Sequence, residues 1–154
     1  MTEPTIRSSV FTGFDGFASR KGLDFGQLLV KAGIDRKLLE DPDQELPLNA
    51  VAALLSDAAE ACGDPCLGLH WAEALPEGSG GVVGYLLINA KTVRVGVRSI
   101  ARYISLHLHP VDVRFDEADG IGQLSWRFPP SFTAPRLQYA SFAMAVLIIR
   151  LRRT

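Results

Sequence analysis

The chain has 154 residues, 47% of them hydrophobic and 21% charged, with a formal net charge of −1. That length suits one globular domain able to bury about two-thirds of its unfolded surface. The near-neutral balance argues against a domain that grips nucleic acid by itself, because such domains carry a basic face. Two cysteines, the lack of a basic-then-apolar leader in MTEPTIRSSV and the lack of an apolar run of about 18 residues point to the cytoplasm and to no membrane.

Residues 1–20 are polar and glycine-punctuated, with Phe11, Phe14 and Phe17 three apart, and are expected to form a flexible N-terminal arm or a strap laid over the core. Asp24 can cap a short helix carrying Phe25, Leu28 and Leu29, which Gly33 ends. Leu38 and Leu39 add a further turn, and Asp41-Pro42-Asp43 reads as a tight turn. Leu48, Val51, Ala52, Leu55, Ala58, Ala59 and Cys62 recur at three- and four-residue steps, which predicts a helix over 48–62. Gly63 stops it, and Asp64 with Pro65 is expected to start the next helix, broken at Pro76-Glu77-Gly78.

Residues 80–89 are apolar all round, and periodicity alone leaves them as buried helix or central strand. Val93, Val97, Ile100, Ala101, Ile104 and Leu108 share a helical face behind Thr92, which predicts a helix from Thr92 to His107. Alternation of Val113 and Phe115, then Leu124, Trp126 and Phe128, around Asp119-Gly120 predicts a β-hairpin at about 111–128. A last helix is expected from Pro135 to Arg152. Its second apolar face, Phe142, Val146 and Ile149, marks the expected dimer contact. The fold class is therefore α+β: a mainly helical domain with a small antiparallel sheet, not a jelly roll.

Chemistry is sparse. Cys62, Cys66 and His70 stand four apart, but Pro65 interrupts the helix that would align them, and buried thiols with an ordinary histidine are the expectation. Gly78-Ser79-Gly80-Gly81 follows a helix, not the strand a dinucleotide loop needs, and Ser79 lacks the Gly-x-Ser-x-Gly elbow of a nucleophile. No catalytic residue, metal or cofactor is assigned. His107 ends a helix, where a cationic ring is favoured, and Arg150, Arg152 and Arg153 read as a solvated basic helix end. Trp71, Tyr85, Arg98, Arg102, Tyr103 and Trp126 are the candidates for contacting a small ligand, the arginines for an anionic group and the rings for an apolar body.

Ala32-Gly33-Ile34-Asp35, Leu39-Glu40-Asp41-Pro42-Asp43 and Leu46-Pro47-Leu48 are followed by Gly63-Asp64-Pro65-Cys66-Leu67-Gly68-Leu69, Val83-Gly84-Tyr85-Leu86-Leu87 and Ile100-Ala101-Arg102-Tyr103. In that order they resemble the N-terminal effector-binding domain of AraC-type transcription regulators, in the branch labelled arabinose-binding-like, from about Leu23 to Arg153. The resemblance implies helix over 81–89. It also implies an effector-binding and dimerisation domain over 21–154 that senses an unknown small molecule, forms a homodimer and is not an enzyme. DNA would be reached only through a C-terminal helix-turn-helix domain outside this chain. A stand-alone metal, haem or nitric-oxide sensor, or a dimerising adaptor, is the alternative.

Overall fold

The first strand along the described chain takes the middle of a sheet. A computed structural model describes residues 2–153, so Met1 and Thr154, the outermost residues of the two expected segments, lie outside it. Strand β1 (Thr5–Arg7) pairs antiparallel with β2 (Glu45–Pro47) on one side and β3 (Leu108–His109) on the other. Ile6 stands opposite both Leu46 and Leu108, and all three are buried. Burying each such side chain stabilises the fold by about 1.5–3 kcal/mol.

A 3-10 turn over Ser8–Phe11 leads into α1 (Phe14–Arg20). The Phe14 ring lies 5.0 Å from both Phe25 and Trp71, edge-on to the latter, and Phe17 lies 5.2 Å from Trp71. The flexible arm expected over 1–20 is thus corrected: its phenylalanines at three-residue spacing are core residues, and its backbone completes the sheet.

Helix α2 (Phe25–Ala32) has the caps its sequence announces. The Asp24 carboxylate accepts the Gln27 N–H, and Gly33 takes a left-handed conformation at φ 70°. Residues 36–39 make a 3-10 turn, and the Asp41 carboxylate accepts the Asp43 N–H in the turn before β2. Helix α3 (Leu48–Cys62) buries its predicted stripe apart from the half-buried Cys62, and buries Leu54 as well. Helix α4 (Leu67–Ala74) starts two residues later than expected, because Asp64 caps the turn before it by accepting the Cys66 N–H. The same carboxylate takes Lys21 Nζ at 2.8 Å and His70 Nδ1 at 2.7 Å, which together hold its pKa down to about 2.

Residues 81–88 are helical (α5, Gly81–Ile88), as is α6 (Val93–Tyr103), where the Thr92 hydroxyl accepts the Val95 N–H. Helix α6 ends earlier than expected: residues 104–106 tighten into a 3-10 turn and feed β3. Strands β4 (Asp112–Ala118) and β5 (Ile121–Arg127) form the predicted hairpin, with Asp119 and Gly120 both at positive φ in the turn. Such a turn matches the natural twist of two antiparallel strands. Helix α7 (Leu137–Leu151) packs along α4 and α3.

Two hydrophobic clusters result. The larger joins β1 to β3, α1 to α4 and the first half of α7. The smaller comprises Val83, Leu87, Ile100, Ile104 and Leu147, with Val113 and Leu124 of the hairpin against it. The architecture is α+β, with two small open antiparallel sheets rather than a jelly roll. Among the described residues, no helix is long and apolar enough to cross a membrane.

Candidate functional site

The glycine-rich joint between α4 and α5 sets the site. Gly78, Gly80 and Gly81 all sit at positive φ, a conformation costly for residues with a Cβ, and they turn the chain sharply into α5. Gly84 lies against the same joint: a Cβ there would stand 2.2 Å from the Ser79 carbonyl oxygen. The backbone of α5 can therefore lie close to the joint, with Ser79 facing inward.

A cavity of about 90 Å³ lies between the two hydrophobic clusters. Ile6, Val10, Leu75, Tyr139 and Phe142 of the larger cluster form one wall; Val83, Leu87, Ile100, Ile104 and Leu147 of the smaller one form the other. Ala143 and Val146 of α7 run along it, and Trp126 reaches in from the hairpin. No aspartate or glutamate lines it among the described residues. The space is smaller than the ~150 Å³ cavity known to hold benzene, so a larger guest must part the walls.

Its few polar groups are distinctive. Ser79 Oγ and Trp126 Nε1 are buried with no hydrogen-bond partner in the protein among the described residues. Leaving such a group unsatisfied costs about 1–3 kcal/mol. His107 is desolvated beside the Arg7 guanidinium, and these two effects push its pKa down to about 4. Its ring is neutral near pH 7, which corrects the cationic helix-end histidine expected from sequence. Arg150 is only 4% exposed, with Nη2 donating to the Leu75 and Pro76 carbonyls at 3.3 and 2.8 Å. Burial lowers its pKa, but a guanidinium stays charged. The expected solvated basic end is thus confined to Arg152 and Arg153.

Of the ligand candidates named from sequence, only Trp126 lines the cavity. Trp71 is stacked on Phe142 and donates Nε1–H to the Val10 carbonyl at 3.3 Å, so it is a core residue. Tyr85 is 67% exposed on the outer face of α5. Arg98 and Arg94 grip the Glu117 carboxylate at 2.5 and 2.6 Å, tying α6 to the hairpin and lowering the Glu117 pKa. Arg102 lies over the Tyr103 ring on the surface. The three dimer candidates are also displaced. Phe142 is buried, Val146 faces the cavity and Ile149 packs on the larger cluster. The apolar side chains that α7 does expose are Leu137, Met144 and Ile148. Cys62 Sγ meets the Ala59 carbonyl, Cys66 is exposed and His70 is held by Asp64.

Sequence reasoning gave Ser79, His107 and Arg150 other readings and did not place them at the ligand site. For two of them a signal exists. Arg150 follows Phe142 and Val146 at four-residue steps, on the inward face of α7, and His107 follows Ile100 and Ile104 on the inward face of α6 and its 3-10 extension. Ser79 sits among glycines with no periodicity to read.

Comparison with known families decides what the site belongs to. The family model for the arabinose-binding domain of AraC transcription regulators, N-terminal, matches residues 22–154. The chain belongs to that family. It is thus a ligand-binding regulatory domain of the AraC type. No curated protein matches the chain. The AraC-type match starts at residue 22, so β1 and the turn after it, which wall the cavity through Ile6 and Val10, precede the matched region.

Proposed function

We propose that this AraC-type domain senses a small effector in the cavity between its two hydrophobic clusters and uses occupancy to control a DNA-binding domain on the same regulator. The observation that carries the reading is the cavity's position. A guest there touches α5, α6 and the hairpin on one side and the main body on the other, so its binding energy depends on how the two are apposed. A ligand shifts a conformational equilibrium only through such differential contact. Helix α7 spans both clusters, contributing Phe142 to one and Leu147 to the other, and is the element that carries the change outward. Its exposed Leu137, Met144 and Ile148 form the face offered to a second copy, and the regulator acts as a homodimer in the bacterial cytoplasm.

The test is a thermal-shift screen of small metabolites on the domain, repeated on Val146→Trp, whose larger ring fills the cavity. An effector raises Tm of the unaltered protein and not of the variant. Hits that stabilise both equally place their binding elsewhere and refute the cavity as the sensor. Sedimentation of Met144→Glu, expected to be monomeric where the unaltered domain is dimeric, tests the second half.

A further inference from the structure

We propose that the effector is a compact, predominantly apolar molecule with an oxygen acceptor as its head, a carboxylate or a ketone-type carbonyl, and that it is not a polyol. The proposal rests on the sensing role argued above and narrows it to a chemical class.

The cavity walls are hydrocarbon over most of their area, drawn from two aliphatic and aromatic clusters. A sugar displays donors and acceptors around its whole ring, and each needs a partner once it leaves water. The lining has too few polar groups for that. Ser9 and the neutral His107 ring can donate or accept, whereas the buried groups left without a partner lean toward donation. Trp126 Nε1 can only donate a hydrogen bond, and it has no acceptor in the protein among the described residues. A guest that satisfies it must present an acceptor. Ser79 Oγ, equally without a partner, can donate to the same class of group. Arg150 adds positive charge to the wall, so an ammonium head is disfavoured and an anionic or dipolar oxygen favoured.

A groove of about 310 Å³ at the start of α5 shares Ser9, Gly80, Val83 and His107 with the cavity, so an aliphatic body longer than the closed cavity would extend in that direction.

The two tryptophans make the test direct, since a ¹⁵N-labelled sample shows two indole N–H resonances. Trp71 already donates to Val10 and serves as the internal reference. The probes are hexanoate, 2-heptanone, hexylamine and L-arabinose. The expected result is that hexanoate or 2-heptanone moves the Trp126 indole proton downfield and leaves that of Trp71 in place. Stronger binding of hexanoate than of the ketone shows that Arg150 takes part; equal binding shows that the neutral acceptor suffices. Trp126→Phe weakens the binding by about tenfold, and Ser79→Ala weakens it in the same direction. The resonance shift in the unaltered protein stands even if the first variant folds poorly.

If L-arabinose or hexylamine moves the Trp126 resonance and the acid and ketone do not, the proposed class is wrong and the sensing role survives. The class is equally wrong if all four probes fail while another metabolite acts through the cavity in the thermal-shift screen. If no small molecule acts through the cavity, the sensing role fails and the class fails with it.

Discussion

His107 and Gly68 show how much single positions carry. The folded pKa of His107, about 4, lies below the ordinary histidine value of 6.5. As pH falls, the unfolded chain therefore takes up the proton first, and stability is lost progressively between pH 6.5 and 4. The loss between pH 7 and pH 4.5 should be on the order of 2–3 kcal/mol by urea denaturation. His107→Gln should be flat over that window. Asp64, whose pKa is lowered from 3.8 to about 2, adds its own loss only below pH 4, so the two contributions separate on the pH axis. A variant that keeps the full slope above pH 4.5 would mean that His107 is not its source.

Gly68 tests the α4–α7 contact. A Cβ there would stand 2.1 Å from the Gln138 carbonyl oxygen, and the Gly68 N–H donates to Gln138 Oε1 at 2.8 Å. Neither backbone can yield without separating the helices. Gly68→Ala should cost at least the ~1–3 kcal/mol typical of overpacked cores, read as a lower denaturation midpoint. Nothing in the local pattern distinguishes this glycine, because its reason lies 70 residues away.

At the scale of elements, legibility followed length. Helices α2 and α3 and the β4–β5 hairpin were readable because caps, a four-turn apolar stripe and an Asp-Gly turn are local signals. The three-stranded sheet was not. Strands of three, three and two residues are too short to show alternation, and their pairing is between distant segments. Phenylalanines at positions 11, 14 and 17 were visible, but a glycine-broken stretch disguised them as a strap. Of the site, the sequence showed Trp126 by its alternation with Leu124, whereas of the two arginines that looked fit for an anion Arg98 is occupied by Glu117 and Arg102 lies over Tyr103. The burial of β1 makes its loss severe. Removing residues 2–7 deletes the central strand and leaves β2 and β3 without their shared partner, along with the ring of contacts around Ile6. The truncated protein should lose cooperative unfolding by circular dichroism, whereas a true appendage could be cut with little effect.

For the whole molecule, the two clusters are unequal in strength. The larger holds α3 and α4 with many fully buried side chains. The smaller rests on five buried residues, and its helices turn Val82, Tyr85, Ile88, Val93 and Val95 to solvent. Regions with few buried apolar contacts open at lower free energy than the global transition. The cavity lies along the seam between the clusters, which removes contacts that would otherwise weld them together. Amide hydrogens of α5 and α6 should therefore exchange well before those of α3 and α4. An effector in the cavity restores contacts across the seam and should slow α5 and α6 selectively, by a factor that grows with ligand concentration as mass action requires. The same pattern should extend into the second half of α7, where Leu147 belongs to the weaker cluster. Uniform exchange across the domain, unchanged by a bound ligand, would show one rigid body with no seam to regulate.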